Sequence, residues 1–241
     1  MLINTPSAAS MENSVSVGFK VRTPQAREKA GKRARLRRLN HGVIRCLDLM
    51  ISLSALIFLA PAIVVIALLI RFQDGGPALY RQKRIGLNGR EFSCFKLRSM
   101  HVRSDEILRE ILLNDPVARA EWDAEQKLKN DPRITVLGRI LRKTSVDELP
   151  QLLNVIRGEM SLVGPRPIVN SEVVKYGRSF KNYVSVLPGI TGLWQVMGRN
   201  DVSYSRRVAM DRLFARKHSC GIYIMILVKT LPAVLLQKGS Y

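Results

Sequence analysis

From Leu49 to Ile70 the chain reads LMISLSALIFLAPAIVVIALLI, 22 positions without a charge. As a straight α-helix this stretch would be about 33 Å long, enough to cross the apolar core of a bilayer, which is about 30 Å thick. It begins too late and is too long for a secretory signal, and no small-residue cleavage pattern follows it. A buried core helix is the alternative, but the absence of charge favours a membrane segment.

Basic residues flank the apolar stretch on both sides. They are Lys29, Lys32, Arg33, Arg35, Arg37, Arg38 and Arg45 before it, and Arg71, Arg81, Lys83 and Arg84 after it. Because basic flanks favour the cytoplasmic side of a membrane, both ends of the stretch are expected there. Pro61 lies near the middle, lacks an amide hydrogen and clashes with the carbonyl of Ile57, so it predicts a kink. The sequence therefore favours a re-entrant helix hairpin over residues 41–72, with a single span as the alternative.

The composition of the whole chain narrows the class of partner. Lys and Arg number 39 against 19 Asp and Glu, a formal net charge of +20, so an anionic partner or an anionic membrane surface is expected. Hydrophobic residues make up 46% of the chain, which is enough to build a core. Three cysteines without CxxC spacing argue against a disulfide scaffold and a cysteine zinc site, and they fit a reducing, cytosolic setting. Residues 1–40 end in a basic run and predict a disordered polybasic tail, which anionic lipid would attract.

Beyond the apolar stretch, residues 73–241 predict one cytosol-facing domain of the α+β class, mainly helical. Two strand-like runs surround Asn88-Gly89, a pair that is typical of a β-hairpin. Helical stretches follow at about residues 103–113, 117–129 and 134–142, separated by Asn-Asp-Pro breaks. The apolar run at residues 222–236 is interrupted by Lys229 and Pro232. It is interpreted as an amphipathic helix in the membrane interface, with a core helix as the alternative.

The residues suited to chemistry concentrate between positions 142 and 167, RKTSVDELPQLLNVIRGEMSLVGPRP. Ser145 and Glu148 have the spacing of a capping box, which predicts that a helix starts there. On that interpretation Glu148 is a capping partner and Asp147 is a first-turn acid that complements the helix dipole. The position also suits chemistry, because a carboxylate beside Arg142 stays ionised and free N–H groups at a helix start can hold a phosphate.

Arg166 stands between Pro165 and Pro167, which restrict its backbone. A guanidinium on such a rigid turn is suited to bidentate recognition of a phosphate. A solvated surface arginine is the alternative interpretation of this turn.

Several motifs occur in a characteristic order over about residues 40–241. They are the basic flank, the Pro-interrupted apolar stretch, FKLRSM (95–100), SVDELPQLLNVIRGEMSLVGPRP (145–167) and PGITGLWQVMGRN (188–200). In order and spacing they resemble bacterial sugar transferases, the monotopic polyprenyl-phosphate phosphoglycosyl transferases. The compact form, without an extra membrane-spanning region ahead of the hairpin, is similar to the exopolysaccharide-initiating galactose-1-phosphate transferases of rhizobial type.

The resemblance implies transfer of a sugar 1-phosphate, expected to be galactose 1-phosphate, from a UDP-sugar to undecaprenyl phosphate with release of UMP. This would be the first membrane step of exopolysaccharide synthesis. Asp147 would be the nucleophile and form a covalent phosphosugar intermediate. Mg²⁺ would be held by Asp147, Glu148 and the diphosphate. The other implied site residues are the phosphate-binding Arg142, Arg166, Lys96 and Arg98, and Arg199 on the nucleotide side.

The resemblance also implies a location and a set of partners. The enzyme would lie in the bacterial inner membrane, with its catalytic domain on the cytoplasmic face and anionic lipid around it. The resemblance does not decide whether the enzyme forms a homo-oligomer, which sugar it transfers or what residues 1–40 do. The family often has Ser before the hairpin proline where this chain has Ala60, so the angle at Pro61 is not implied.

A second class of protein would explain the charge and the apolar stretch, namely a membrane-anchored basic protein that binds anionic lipid or nucleic acid without catalysis. It would not explain the Asp147–Glu148 pair beside Arg142 or the rigid Arg166. Aromatic residues make up only 6% of the chain and offer little base stacking, so no nucleic-acid partner is expected.

Overall fold

The computed structural model of the chain describes residues 24–125, 128, 130–198 and 202–235. By its internal contacts the chain divides into two units, Met1–Arg38 and Leu39–Tyr241. The helices of the described residues are α1 Pro24–Asp74, α2 Ser104–Asn114, α3 Pro116–Glu125, α4 Val136–Thr144, α5 Gln151–Arg157, α6 Val173–Tyr176, α7 Phe180–Tyr183, α8 Leu193–Met197, α9 Tyr204–Lys217 and α10 Cys220–Leu235. The strands are β1 Leu79–Ile85, β2 Glu91–Leu97, β3 Ser161–Val163 and β4 Gly189–Thr191. The predicted class, α+β and mainly helical, is confirmed.

The first helix is longer than the sequence predicted. It begins at Pro24 and includes residues 24–40, which were expected to belong to a disordered tail; residues 1–23 of that tail lie outside the described residues. Arg, Lys, Ala and Leu are good helix formers, and extending an existing helix avoids the cost of a new nucleus. The basic run is therefore helical.

The apolar part of α1 remains largely uncovered by protein. In the described part of the chain, Leu39–Asp74 is the one helix long and apolar enough to cross a membrane, by length and composition. Its most apolar window of 18 residues has a mean hydropathy of 2.9, and 6% of that window is buried. Ile57 and Phe58, shortly before Pro61, are 67% and 83% exposed. Exposure of so large an apolar surface to water is unfavourable, so contact of this surface with a membrane is expected.

Both ends of this apolar helix bind to the domain that follows it. At the beginning, Asp48 is buried and accepts hydrogen bonds from the Leu162 amide at 2.8 Å, the Ser161 hydroxyl at 3.0 Å and the Tyr223 hydroxyl at 2.8 Å. Arg45 donates to the carbonyl groups of residues 155 and 156 at 2.6 and 2.9 Å, at the end of α5. The helix thus enters its apolar stretch already fixed to α5, β3 and α10.

The other end of α1 is fixed to the same domain through β2 and α4. Ile70 is buried in a cluster with Leu97 and Leu141, and its carbonyl accepts a hydrogen bond from Arg98 Nη2 at 3.2 Å. The Arg98 guanidinium also pairs with the carboxylate of Asp74. One folded domain therefore holds the helix both before and after its exposed apolar stretch.

The β-hairpin predicted around Asn88-Gly89 is confirmed. Strands β1 and β2 are antiparallel, and their register pairs Leu79 with Leu97 and Ile85 with Glu91. Asn88 and Gly89 have φ angles of 57° and 76° at the turn, which Asn and Gly tolerate better than other residues. The helices predicted near 103–113, 117–129 and 134–142 are confirmed as α2, α3 and α4, each within a few residues of its expected bounds.

The core of the domain forms around two short parallel strands. Strand β3 pairs with β4, and the loops that follow and precede them interlock through hydrogen bonds from Gly164 N to Thr191 O at 2.9 Å and from Gly189 N to Pro165 O at 2.8 Å. A Cβ atom at Gly189 would collide with the backbone of Gly164, so this close approach requires glycine. The interlock brings the GPRP turn against the PGITG loop.

Helix α10 combines both interpretations of the C-terminal apolar run. Tyr223 and Ile226 are fully buried in the core. Ile224, Met225, Val228 and Leu231 lie on exposed positions of the same helix. One face is thus core, and the location of the other face in a membrane interface stays a prediction.

Candidate active site

Asp147 and Glu148 lie on a single 3₁₀ turn, Val146–Glu148, between α4 and α5. The turn forms because Ser145 ends α4 in the left-handed region, with φ of 58°. An N-cap residue needs extended dihedral angles, so Ser145 cannot act as one and its side chain makes no capping hydrogen bond. The predicted capping box is therefore wrong, and α5 begins only at Gln151, after Pro150.

The Glu148 carboxylate is committed to neighbouring cations rather than to a helix cap. Its Oε1 lies 2.6 Å from Lys96 Nζ and 4.0 Å from Arg166 Nη1. Burial alone would raise the pKa of Glu148, but attraction to Lys96 and Arg166 outweighs it and holds the pKa below the ordinary value. Glu148 is therefore ionised at neutral pH and joins the β-hairpin to the GPRP turn.

Asp147 has a different environment from the residue next to it. It is 7% exposed, and burial raises its pKa to about 6, against the attraction of Lys96, Arg142 and Arg166. Among the described residues no hydrogen bond or ion pair engages the Asp147 carboxylate. Above about pH 6 the group is mainly ionised. The site thus contains a desolvated carboxylate whose oxygens remain available for reaction.

A small, partly open cleft is lined by Glu148 of this turn. Its lining includes three of the residues predicted from the sequence, Lys96, Glu148 and Arg166. The other lining residues are Arg84, Cys94, Gln151, Pro167, Gly189, Ile190 and Gln195. With three cations and one carboxylate in its lining, the cleft is suited to an anionic ligand that carries more than one negative charge.

Of the predicted catalytic and phosphate-binding residues, three do not line this cleft. Asp147 adjoins it through Glu148. Arg142, whose Nε donates to Ser99 Oγ at 2.8 Å, is close enough to Asp147 to attract its charge. Arg98 is directed elsewhere: β2 ends at Leu97, and the guanidinium that follows binds the end of α1. The structure therefore does not bring Arg98 to the phosphate site, while Arg199 lies outside the described residues.

Arg84 is the clearest cleft residue that sequence reasoning missed. Its Nη1 donates to the Pro167 carbonyl at 2.9 Å, and burial together with the nearby Arg166 lowers its pKa. The register of the hairpin carries the missing signal. Residues 84 and 92 are paired, as are 82 and 94 and 80 and 96, so Arg84 shares one face of the hairpin with Cys94 and Lys96.

The carboxylates offer a limited set of ligands for a metal ion. Among the described residues, no group of three or more His, Cys, Asp or Glu side chains is placed to hold one. Asp147 and Glu148 supply two carboxylates, of which Glu148 Oε1 is bound to Lys96. Mg²⁺ is commonly bound by one or two carboxylates together with water and substrate phosphates. The residues present fit Mg²⁺ held jointly with a diphosphate, and the magnesium site stays a prediction.

Comparison with known proteins shows where the chain belongs. A sequence model described as "Bacterial sugar transferase" matches residues 39–237. The chain belongs to this family. The match includes the apolar part of α1, the β-hairpin of β1 and β2, the Asp147–Glu148 turn and the GPRP turn. The predicted family and the predicted enzyme class, a transferase, are therefore confirmed.

The names of similar proteins support the subgroup. The chain is 52% identical over 197 residues to a "UDP-galactose-lipid carrier transferase" of Erwinia amylovora and 49% identical to an "Undecaprenyl-phosphate galactose phosphotransferase" of Salmonella typhimurium. It is also 49% identical to the "Exopolysaccharide production protein ExoY" of Rhizobium meliloti. Each match includes 82% of this chain, but the chain spans 41% of the first two relatives and 87% of the third.

Proposed function

We propose that this sugar transferase moves galactose 1-phosphate from UDP-galactose to undecaprenyl phosphate and releases UMP. The observation that carries the proposal is the Asp147 carboxylate, which is buried, has no hydrogen-bond partner among the described residues, and directly precedes Glu148 in the lining of a cationic cleft. The names of relatives at about 50% identity favour galactose and a polyprenyl phosphate acceptor. The first step of exopolysaccharide synthesis is the setting that the ExoY relative supports.

The reaction proceeds in two displacements at one phosphorus atom. An oxygen of Asp147 attacks the phosphorus that bears the sugar, and the bond from that phosphorus to the bridging oxygen breaks. UMP leaves with the bonding electrons, and galactose phosphate remains attached to Asp147. A phosphate oxygen of undecaprenyl phosphate then attacks the same phosphorus and displaces the carboxylate, which regenerates the enzyme. Division into two steps lets one carboxylate serve both substrates in turn.

The cations of the cleft have separate roles in this reaction. Arg166 is 41% exposed in its side chain, so its guanidinium is accessible to a phosphate that enters from solvent. Arg84 is mostly buried and fixes the turn that carries Arg166 by its bond to Pro167. Lys96 holds Glu148 at 2.6 Å and lowers the pKa of Asp147, which keeps the nucleophile ionised near neutral pH. Together they stabilise charge that develops on the transferred phosphoryl group.

A divalent cation fits this mechanism as a partner of the diphosphate. Mg²⁺ bound by Asp147 or Glu148 and the phosphate oxygens would neutralise negative charge at the reacting phosphorus and on the departing UMP. The protein itself supplies the nucleophile, the orientation of the two carboxylates and the rigid Arg166 turn.

The membrane topology that best fits the contacts is a re-entrant hairpin. Asp48 and Asp74 lie at opposite ends of the exposed apolar stretch, and each is bound to the same domain. A helix that crossed the bilayer would carry its two ends to opposite faces, about 30 Å apart. Entry and return on one face places the cleft at the headgroup level, where a polyprenyl phosphate has its phosphate. The cytoplasmic face follows from the basic flanks.

UMP release by the purified full chain tests the proposal. The assay supplies undecaprenyl phosphate, Mg²⁺ and either UDP-galactose, UDP-glucose, UDP-N-acetylglucosamine or UDP-N-acetylgalactosamine, and mass spectrometry identifies the lipid product. We expect UMP and a galactose-bearing lipid diphosphate from UDP-galactose, and no product with Asp147→Asn. Product from another sugar alone would replace galactose in the proposal. Full activity of Asp147→Asn would refute the role of Asp147.

A further inference from the structure

Gln195 lines the cleft and carries a buried hydrogen-bond acceptor without a partner among the described residues. It lies on α8, directly after β4, and is one of the lining residues. Its Nε2 donates to the Ile190 carbonyl at 3.1 Å. Since a carbonyl can only accept, this bond fixes which end of the amide is nitrogen. The other end, Oε1, is buried and has no hydrogen-bond partner among the described residues.

This acceptor differs in kind from the charged groups around it. Arg84, Lys96 and Arg166 donate hydrogen bonds and attract phosphate oxygens. An ionised phosphate has no hydrogen to give, so Gln195 Oε1 cannot pair with it. The groups of a UDP-sugar that can satisfy Oε1 are its neutral O–H and N–H donors. Buried polar atoms are rarely left unpaired, and an orphan in a ligand cleft points to a ligand that pairs with it.

We infer that Gln195 Oε1 accepts a hydrogen bond from a neutral O–H or N–H group of the UDP-sugar. This inference rests on the proposed function, because it takes a nucleotide sugar as the ligand. The donors of a UDP-sugar are the hydroxyls of the transferred sugar, the ribose hydroxyls and the uracil N–H. Gln195 lines the same cleft as Arg84, Lys96 and Arg166, whose cationic groups attract the diphosphate. The donor is therefore expected close to the diphosphate, which favours a hydroxyl of the transferred sugar or of the ribose over the uracil N–H.

The chemistry gives Gln195 a role in specificity. A site that buries an acceptor for one substrate donor discriminates against an analogue that lacks the donor, because the acceptor is then left unpaired. Arg84, Lys96 and Arg166 cannot supply this discrimination, since every UDP-sugar carries the same diphosphate. Gln195 is thus a residue that reads the neutral part of the substrate.

A cycle of protein and substrate changes tests this role. Binding of UDP-galactose to the detergent-solubilised full chain is measured for wild type and for Gln195→Met, which is similar in size but lacks the amide. The ligands are UDP-galactose, a series of analogues that each lack one sugar hydroxyl, and a second series with single ribose deoxygenations or an N3-methyl uracil. Met197→Leu, at an exposed position of the same helix, is the matched control.

We expect one analogue to bind the wild type about tenfold more weakly, the loss that one unpaired hydrogen-bonding group produces. Gln195→Met should bind UDP-galactose more weakly than the wild type by about the same factor. It should bind that analogue no more weakly than it binds UDP-galactose. The series in which this analogue falls identifies the donor as sugar or uridine. If the effects of the variant and of each analogue simply multiply, Gln195 makes no such bond and the inference is wrong.

Gln195→Glu keeps an oxygen acceptor and separates recognition from a general loss of structure. It should still discriminate against the sensitive analogue, although its charge weakens binding of every diphosphate; loss of that discrimination would contradict the inference. UMP release is measured in parallel. If UMP is released but the effects of the variant and of each analogue on binding simply multiply, the inference is wrong and the proposed function stands. If the effects of Gln195→Met and of one analogue are coupled but no UMP is released, the proposed function is wrong and the contact of Gln195 with the nucleotide sugar stands. Failure of the wild type to bind any UDP-sugar overturns both.

Discussion

Asp147→Asn is expected to stabilise the folded chain while it removes the nucleophile. The carboxyl of Asp147 has an ordinary pKa of 3.8, and burial raises it to about 6 in the folded protein. At about 1.4 kcal/mol for each pH unit, ionised Asp147 therefore destabilises the fold by about 3 kcal/mol at pH values above 7. Asparagine is neutral and nearly the same size, so the variant escapes this penalty.

The pH dependence follows from the direction of the pKa change. Because the folded pKa lies above the unfolded one, the wild type is free of the penalty below about pH 4 and loses stability as the pH rises through about 6. The two proteins should have equal stability near pH 4 and diverge to the full difference by pH 8. For a chain of this length, 3 kcal/mol corresponds to roughly 6–12 °C in Tm.

Glu148→Gln is the matched control, because the pKa of Glu148 is lowered instead of raised. A lowered carboxyl pKa contributes stability above the unfolded pKa and loses it as the pH falls through the folded pKa. Glu148→Gln should therefore be less stable than wild type at pH 8 and approach it in acid. Neighbouring acids on one turn thus have opposite expected effects.

Thermal unfolding of the detergent-solubilised full chain between pH 4 and pH 8.5 measures these differences, followed by tryptophan fluorescence. EDTA is present and nucleotide is absent, so that no metal or substrate compensates the charge of Asp147. If Asp147→Asn unfolds at or below the wild-type temperature at pH 8, burial of the carboxylate does not control its energy. A difference that does not change with pH would refute the reasoning equally.

Three further predictions address the cations and the membrane segment. Lys96→Met removes the strongest attraction on Asp147, so the lower apparent pKa of UMP release as a function of pH should rise by about one pH unit. Lys143→Met, at an exposed position, should leave that pKa unchanged. An unchanged pKa in Lys96→Met would contradict this role. Arg166→Lys keeps the charge but loses the two-pronged donor, so UMP release in detergent should fall at least tenfold with vesicle binding intact. Neutralisation of Arg33, Arg35, Arg37 and Arg38 should instead weaken vesicle binding in a salt-dependent way and leave turnover in detergent normal. Full activity of Arg166→Lys would refute this division of roles between Arg166 and the basic run. A single cysteine introduced at Ser16 should be labelled only from the cytosol when Pro61 is present. In Pro61→Leu, which restores a helix hydrogen bond, it should be labelled from outside the cell. Labelling from outside with Pro61 present would mean that the helix spans the membrane once.

Much of the fold could be predicted because its signals are local. Asn88-Gly89 specifies a hairpin through the φ angles that these two residues tolerate. It does not by itself give the register, because the loop between the paired Ile85 and Glu91 has five residues instead of two. The Asn-Asp-Pro breaks delimit α2, α3 and α4 because proline cannot continue a helix. The interlock of Gly164 and Gly189 has no such signal, since it depends on a contact between loops 25 positions apart.

The site was predicted less completely, and the reasons are physical. Ser145 and Glu148 satisfy the capping-box pattern, yet the pattern cannot show that Ser145 is already used to end α4 with a positive φ. Arg98 was expected beside Lys96, but β2 ends between them and the tertiary contact with Asp74 directs Arg98 away. Gln195 carries no local signal at all, because its importance arises from burial of one oxygen.

Trapping of the covalent intermediate tests the central claim most directly. The full chain is incubated with UDP-galactose and Mg²⁺ in the absence of undecaprenyl phosphate, quenched in acid and examined by intact mass and peptide mapping. The proposed mechanism predicts a mass increase of one galactose phosphate, located on Asp147, absent from Asp147→Asn and discharged by undecaprenyl phosphate. A wild type that releases UMP only when the lipid is present and never carries the adduct, or an adduct that persists in Asp147→Asn, would contradict it.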